Sequence, residues 1–204
     1  MTPEDVRALT VSLWRTVKRD GVERLLEWLA ATDYFRAPSS TEHHLAVEGG
    51  LALHGPNVFH LLVEKVKRYG LDIPHETLVV CGLGHDLCKV NFYGVSYRNV
   101  KEGGQWVPKR VWVVKDQMPL GHGEKSLSIL QDFLHLTDQE KLAIRWHMAA
   151  WDPAAHVYPA QFALQGAMEY TPLVTLLSTA DFEATRLLET ETGITDLARG
   201  LMSA

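Results

Sequence analysis

The sequence predicts an all-α protein that carries one small inserted β-hairpin. Apolar residues recur at helical spacing along most of its 204 residues, and helix-start signals stand at Thr2-Pro3 and at Thr137 to Glu140. Only between Asn91 and Met118 does the pattern change to the short, β-branched and aromatic runs of strands.

The elements follow in order. Thr2 reads as an N-cap, with Pro3 in the first turn and Glu4 and Asp5 facing the positive helix end; Val6, Leu9, Leu13 and Val17 then form an apolar stripe. A second helix over about Gly21 to Thr32 turns Leu25, Leu26, Trp28 and Leu29 inward, and Arg36 to Thr41 is a Pro- and Ser-containing loop. Val58 to Tyr69 forms a helix that stops at Gly70. Pro74-His75-Glu76 opens another, Thr77 to Leu87, apolar on nearly every side and therefore expected at the centre of the core. Val95, Tyr97 and Val100 on one side of Gly103-Gly104, with Trp106, Val107 and Val111 to Val114 on the other, make a hairpin over about residues 95–115. Helices resume at about His122 to Leu134, Thr137 to Ala149 and Thr171 to Leu188, the second opened by a Thr137/Glu140 capping box. A loop punctuated by proline runs from Asp152 to Pro159, and no internal repeat is visible.

Composition narrows the class. With 46% hydrophobic and 22% charged residues the chain is an ordinary globular one, and its length suits one domain. A net charge of -5 gives no broad basic face for duplex nucleic acid, while leaving room for a local basic patch at a nucleotide or single strand. Cys81 and Cys88, seven apart along one expected helix, are too distant for an easy disulfide and read as buried thiols of a reducing compartment. No apolar run has membrane-spanning length and the N-terminus lacks signal-peptide regions, so a cytoplasmic protein without membrane attachment is expected.

The chemistry concentrates in His85-Asp86, which is answered along the chain by His54, His122, His147 and Asp181. Imidazoles and carboxylates are the ligands a divalent metal centre uses to hold and activate water. Neighbouring helix residues diverge by about 100°, so His85 and Asp86 would flank a metal pair rather than share a face. The aspartate would then bridge two ions about 3.5 to 4 Å apart.

Five segments resemble the HD superfamily of metal-dependent phosphohydrolases: Gly49 to His54, Gly82 to Lys89, Pro119 to Leu130, Ile144 to Asp152 and Ser178 to Leu188. The likeness spans roughly Ser39 to Glu189. It implies a helical HD domain over residues 1–204, with N-terminal helices in 1–38 and a metal-binding core in 39–189. One metal would take His54, His85, Asp86 and Asp181, and a second Asp86, His122 and His147. Many two-metal members carry a further histidine where this chain has Met148; His156 or Asp152 is the substitute donor nearby. The divalent ion, singly or as a pair, could be manganese, iron, magnesium, cobalt or nickel.

Lys89, three residues after Asp86, resembles the lysine of HD-GYP cyclic-dinucleotide phosphodiesterases and of HD-class exoribonucleases. There it would steady a phosphate oxygen in the transition state; the alternative is a solvated lysine at a helix end. Lys125 and Ser126, in the first turn after His122, are candidate phosphate contacts at a helix N-terminus. His44, beside His43, is a candidate for substrate contact or ligand support. Trp151, with Trp146 and Tyr93, would either stack a base or belong to the core.

The function expected from the resemblance is hydrolysis of a phosphoester or phosphoanhydride in a nucleotide or short oligonucleotide, by hydroxide generated at the metal, with Asp86 and Lys89 as the catalytic pair. The alternative is an HD-fold diiron oxygenase acting on a small polyol or phosphonate, since the same ligands serve iron. A scaffold without catalysis is the weaker reading, because every position of the ligand pattern is filled. Homo-oligomerisation stays open.

Overall fold

Residues 2–189 are described by the computed structural model; the part of the expected 1–204 domain formed by Met1 and 190–204 lies outside them. Among the described residues the protein is mostly helical with one two-stranded antiparallel sheet. The helices are α1 (Pro3–Trp14), α2 (Val22–Ala31), α3 (Gly50–Tyr69), α4 (His75–Gly84), α5 (His122–Gln131), α6 (Asp138–Arg145), α7 (Ala160–Tyr170) and α8 (Leu173–Glu183). Strands β1 (Tyr93–Glu102) and β2 (Gln105–Val114) lie between α4 and α5.

Local chemistry sets the starts of α1 and α6 and the hairpin turn. Thr2 accepts from the Asp5 N–H while the Asp5 carboxylate accepts from Thr2, and Thr137 and Glu140 repeat this reciprocal box at α6. In the hairpin Tyr93 pairs with Val114 and Glu102 with Gln105. The two-residue turn places both Gly103 and Gly104 at positive φ, the backbone a tight hairpin demands.

Four elements differ from the sequence expectation. Helix α3 starts eight residues before Val58 and so carries His54 as well. Helix α4 ends at Gly84; His85 caps it, Asp86 leaves the helical region at φ -106°, ψ 16°, and a short 3-10 turn, Leu87–Lys89, follows. The proline-punctuated segment holds two 3-10 turns, Ala149–Trp151 and Pro153–His156, and then α7, which no expectation covered. The last expected helix is α8 followed by a π turn, Ala184–Leu188.

Helix α4 is the centre of the core, as its sequence predicts: Thr77 to Gly84 are all buried. It packs on α3, which also meets α8, while α6 bridges α5 and α8. Trp14, Leu25, Leu29, Leu62, Leu130, Ile144 and Leu177 fill the space around it. The α3–α4 approach depends on Gly82, where a Cβ would stand 2.7 Å from both Cα and Cβ of Phe59. Gly123 does the same for α5, whose backbone presses on the carbonyl of Arg145 at the end of α6. These two contacts set His54 beside His85, and His122 beside His147.

A buried ionic clamp ties the N-terminal helices to this core. Glu140 is fully buried and accepts two bonds of 2.7 Å from Arg19, 2.8 Å from the Thr77 hydroxyl and 2.9 Å from the Thr137 N–H. Arg19 also reaches Glu76. The capping box was legible in the sequence; that its glutamate also receives Arg19 was not.

Candidate metal centre

His54, His85, Asp86, His122, His147 and Asp181, separated by up to 127 positions in sequence, converge on one cluster, buried except at the half-buried His122 and Asp181. Successive imidazole centroids are spaced 5.2 Å from His54 to His85, 5.0 Å from His85 to His147 and 5.1 Å from His147 to His122. Asp86 divides this row. Its Oδ2 faces His54 Nε2 at 3.5 Å, His85 Nε2 at 3.6 Å and Lys89 Nζ at 2.6 Å. Its Oδ1 faces His122 Nε2 at 2.9 Å and His147 Nε2 at 3.8 Å. His85 and Asp86 thus do share a side, because Asp86 has left the helix.

The histidine tautomers follow from their partners. His85 Nδ1 lies 3.0 Å from the carbonyl of Gly82 and His147 Nδ1 lies 2.7 Å from that of Ile144. A carbonyl only accepts, so each Nδ1 carries the proton and each Nε2 presents its lone pair inward. His147 Nε2 has no partner although the residue is buried. His54 Nδ1 donates to Glu189 Oε2 at 3.0 Å, and Asn57 donates to the same carboxylate at 2.8 Å. A carboxylate behind a histidine fixes the ring and raises its basicity as a ligand. Glu189 was not foreseen, since nothing in its local sequence distinguishes it from other acids near a helix end.

Charge reinforces this picture. Burial opposes protonation of His54, but Glu189 and Asp181 outweigh it and raise its pKa to about 10. His122 is likewise raised to about 10 against burial, by Cys88 and Asp86. Burial, then the charges of His85 and His122, depress His147 to about 3. Asp86 is held well below the usual carboxylate range against its burial by Lys89 and His85. The cluster therefore sets carboxylates that demand positive charge beside two imidazoles, His54 and His122, drawn toward the charged form and two, His85 and His147, held neutral by burial. Its donor set and the orphaned His147 nitrogen fit a divalent cation.

A cavity of about 600 Å³ opens onto the cluster and is lined in part by His44, Asp86, Lys89, His122, His147 and Asp181. Trp151, Tyr93 and Met148 also line it. Trp151 is exposed, Tyr93 donates its hydroxyl to the Ser39 carbonyl at 3.1 Å, and Trp146 is a core residue stacked under Arg145. His44 is half-buried with its ring 5.4 Å from that of His54, and burial lowers its pKa to about 4.

Two expected phosphate contacts are engaged elsewhere. Lys125 is buried, pairs with Asp116 at 2.5 Å and lies over the Phe92 ring, outside the cavity lining. Ser126 accepts the N–H of Cys88 at 3.0 Å, pinning the 3-10 turn to α5. The substitutes for the histidine missing at Met148 are also occupied: Asp152 pairs with Arg145 and caps Ala154, and His156 donates to the Ala150 carbonyl. Both cysteines are free and buried, as expected; Cys88, however, stands in the cluster, with Sγ 3.4 Å from His122 Nδ1.

Comparison of the chain with protein-family models, with curated proteins and with solved structures finds no match to any of them. No helix among the described residues is long and apolar enough to cross a membrane.

Proposed function

We propose that this chain is a metal-dependent phosphohydrolase of the HD class, cleaving a phosphoester or phosphoanhydride bond of a nucleotide or short oligonucleotide. The observation that carries this reading is the division of Asp86: one oxygen faces His54 and His85, the other His122 and His147, at the floor of a cavity. The resemblance of the sequence segments supplies the phosphate.

His54, His85, Asp86 and Asp181 would hold one divalent ion, and Asp86, His122 and His147 a second. Bound there, such ions supply Lewis acidity toward a phosphoryl oxygen and a water that ionises near neutral pH. The protein's own groups prepare the site. Glu189 and the Gly82 and Ile144 carbonyls hold three imidazoles in the tautomer that turns Nε2 inward. Lys89, on the cavity wall, balances the charge of Asp86 and can turn its ammonium to a phosphate oxygen as negative charge builds in the transition state. The cavity volume suits a mononucleotide, and Trp151 and Tyr93 offer ring faces to a base.

The test is hydrolysis of a panel of nucleoside phosphates, cyclic dinucleotides and short RNA and DNA, with Mn²⁺, Mg²⁺, Co²⁺, Ni²⁺ or Fe²⁺ added. Turnover by the wild type and its loss in Asp86→Ala is the expected result. Silence across the panel, with oxygen consumption by the iron-loaded protein, would replace this reading with the diiron oxygenase.

A further inference from the structure

We propose that the Cys88 thiolate is a ligand of the cation position between Asp86 and His122, giving this centre one sulfur donor. The inference rests on the reading above that the cluster holds metal.

Cys88 Sγ lies 3.4 and 3.5 Å from the two ring nitrogens of His122 and 4.0 Å from Asp86 Oδ1. Near-equal distances to both nitrogens place the sulfur beside the ring, not at the end of a hydrogen bond to either one. Donor atoms of Asp86, Cys88 and His122 all lie within 4.8 Å of one another, a separation that one ion can span. A second observation points to the same place. His147, 1% exposed, leaves Nε2 without a partner and directs it at the same Asp86 oxygen, 3.8 Å away.

The other donors near the position are spent or unsuited. Asp152 is held by Arg145, His156 by a backbone carbonyl, and residue 148 is a methionine. Cys88 is fixed where it stands, because its N–H donates to Ser126 on α5 and the residue is 3% exposed. Cys81, by contrast, is buried in the apolar core. A thiolate with imidazole and carboxylate favours zinc, iron or cobalt over magnesium or manganese, and metal binding would remove the thiol proton.

Cobalt(II) added to the metal-free full chain in thiol-free buffer tests this. Wild type should develop visible d–d bands together with a near-ultraviolet thiolate-to-cobalt charge-transfer band. In Cys88→Ser the charge-transfer band should be lost while the visible bands persist; Cys81→Ala should keep both. Visible bands without the thiolate band in wild type, or a thiolate band that survives in Cys88→Ser, would overturn the proposal and leave the metal reading intact. No cobalt signal at all would overturn both. Should Cys88→Ser fail to fold, X-ray absorption of the zinc-loaded wild type decides: a sulfur neighbour at about 2.3 Å supports the assignment, and a shell of nitrogen and oxygen alone at about 2.0–2.2 Å contradicts it.

Discussion

His54 and His85 bring their Nε2 atoms to 3.3 Å from each other, while each Nδ1 is already committed, to Glu189 and to the Gly82 carbonyl. His85 has only a lone pair to offer on that side, so the approach is favourable only with a positive charge between the rings. Without a metal ion a proton on His54 serves, and Glu189 and Asp181, acting against burial, raise its pKa to about 10. A divalent cation would displace that proton and satisfy both nitrogens at once.

Metal should therefore stabilise the fold. A ligand that binds only the native state at a hundred times its Kd adds about 2.7 kcal/mol, or roughly 5–10 °C in Tm for a chain of this size. Differential scanning calorimetry with Mn²⁺, Co²⁺ or Zn²⁺, reversed by EDTA, should show that shift. An unchanged Tm at saturating metal would count against the site.

Glu189 acts through His54. Glu189→Gln removes the charge behind the ring but keeps an acceptor for Nδ1, and metal affinity should fall roughly ten- to a hundredfold. Calorimetric titration measures this, with circular dichroism showing that the fold is retained. Equal affinity in the variant would show that the carboxylate has no positioning role.

The α3–α4 contact is equally specific. Gly82→Ala would push a methyl into the Phe59 backbone, costing about 1–3 kcal/mol as overpacking does. Urea denaturation should register the loss, and the variant should bind metal more weakly because His54 and His85 move apart. Wild-type stability would show that the helices absorb the methyl.

Much of this was legible before the structure. The grouping of the histidines with Asp86 and Asp181, the hairpin with its Gly103-Gly104 turn, the Thr2 N-cap and the Thr137/Glu140 capping box rest on spacing and residue type, which a sequence displays directly. Lys125 and Glu189 were not legible. Lys125 looked like a phosphate contact until the hairpin exit brought Asp116 onto it, and Glu189 meets His54 only because α3 and α8 pack together. Helix α7 escaped because the prolines ahead of it suggested a loop running on. Such partners are set by tertiary contact and leave no local trace.

The Glu140 clamp sets an acid limit. Burial would raise the Glu140 pKa, but Arg19 and the Thr137 and Thr77 bonds lower it below its ordinary 4.5. A depressed carboxylate stabilises the fold fully above its unfolded pKa, and that contribution is lost as pH falls through the folded value. Glu140→Ala should cost about 1–3 kcal/mol at pH 7, since it strips the half-buried Arg19 of its main partner and leaves Thr77 and the Thr137 N–H without their acceptor. The gap from wild type should narrow as pH falls below about 4.5. Urea denaturation at a series of pH values follows both chains, and a gap independent of pH would refute the clamp.

Equilibrium dialysis of the full chain against Mn²⁺, Co²⁺ and Zn²⁺, with elemental analysis of the bound metal, in wild type, Asp86→Ala and His60→Ala, decides whether the cluster is a metal centre. Stoichiometric metal is expected in wild type and in His60→Ala, whose imidazole lies outside the cluster and meets Glu64, and its loss is expected in Asp86→Ala. Wild type that retains no more metal than Asp86→Ala would contradict it.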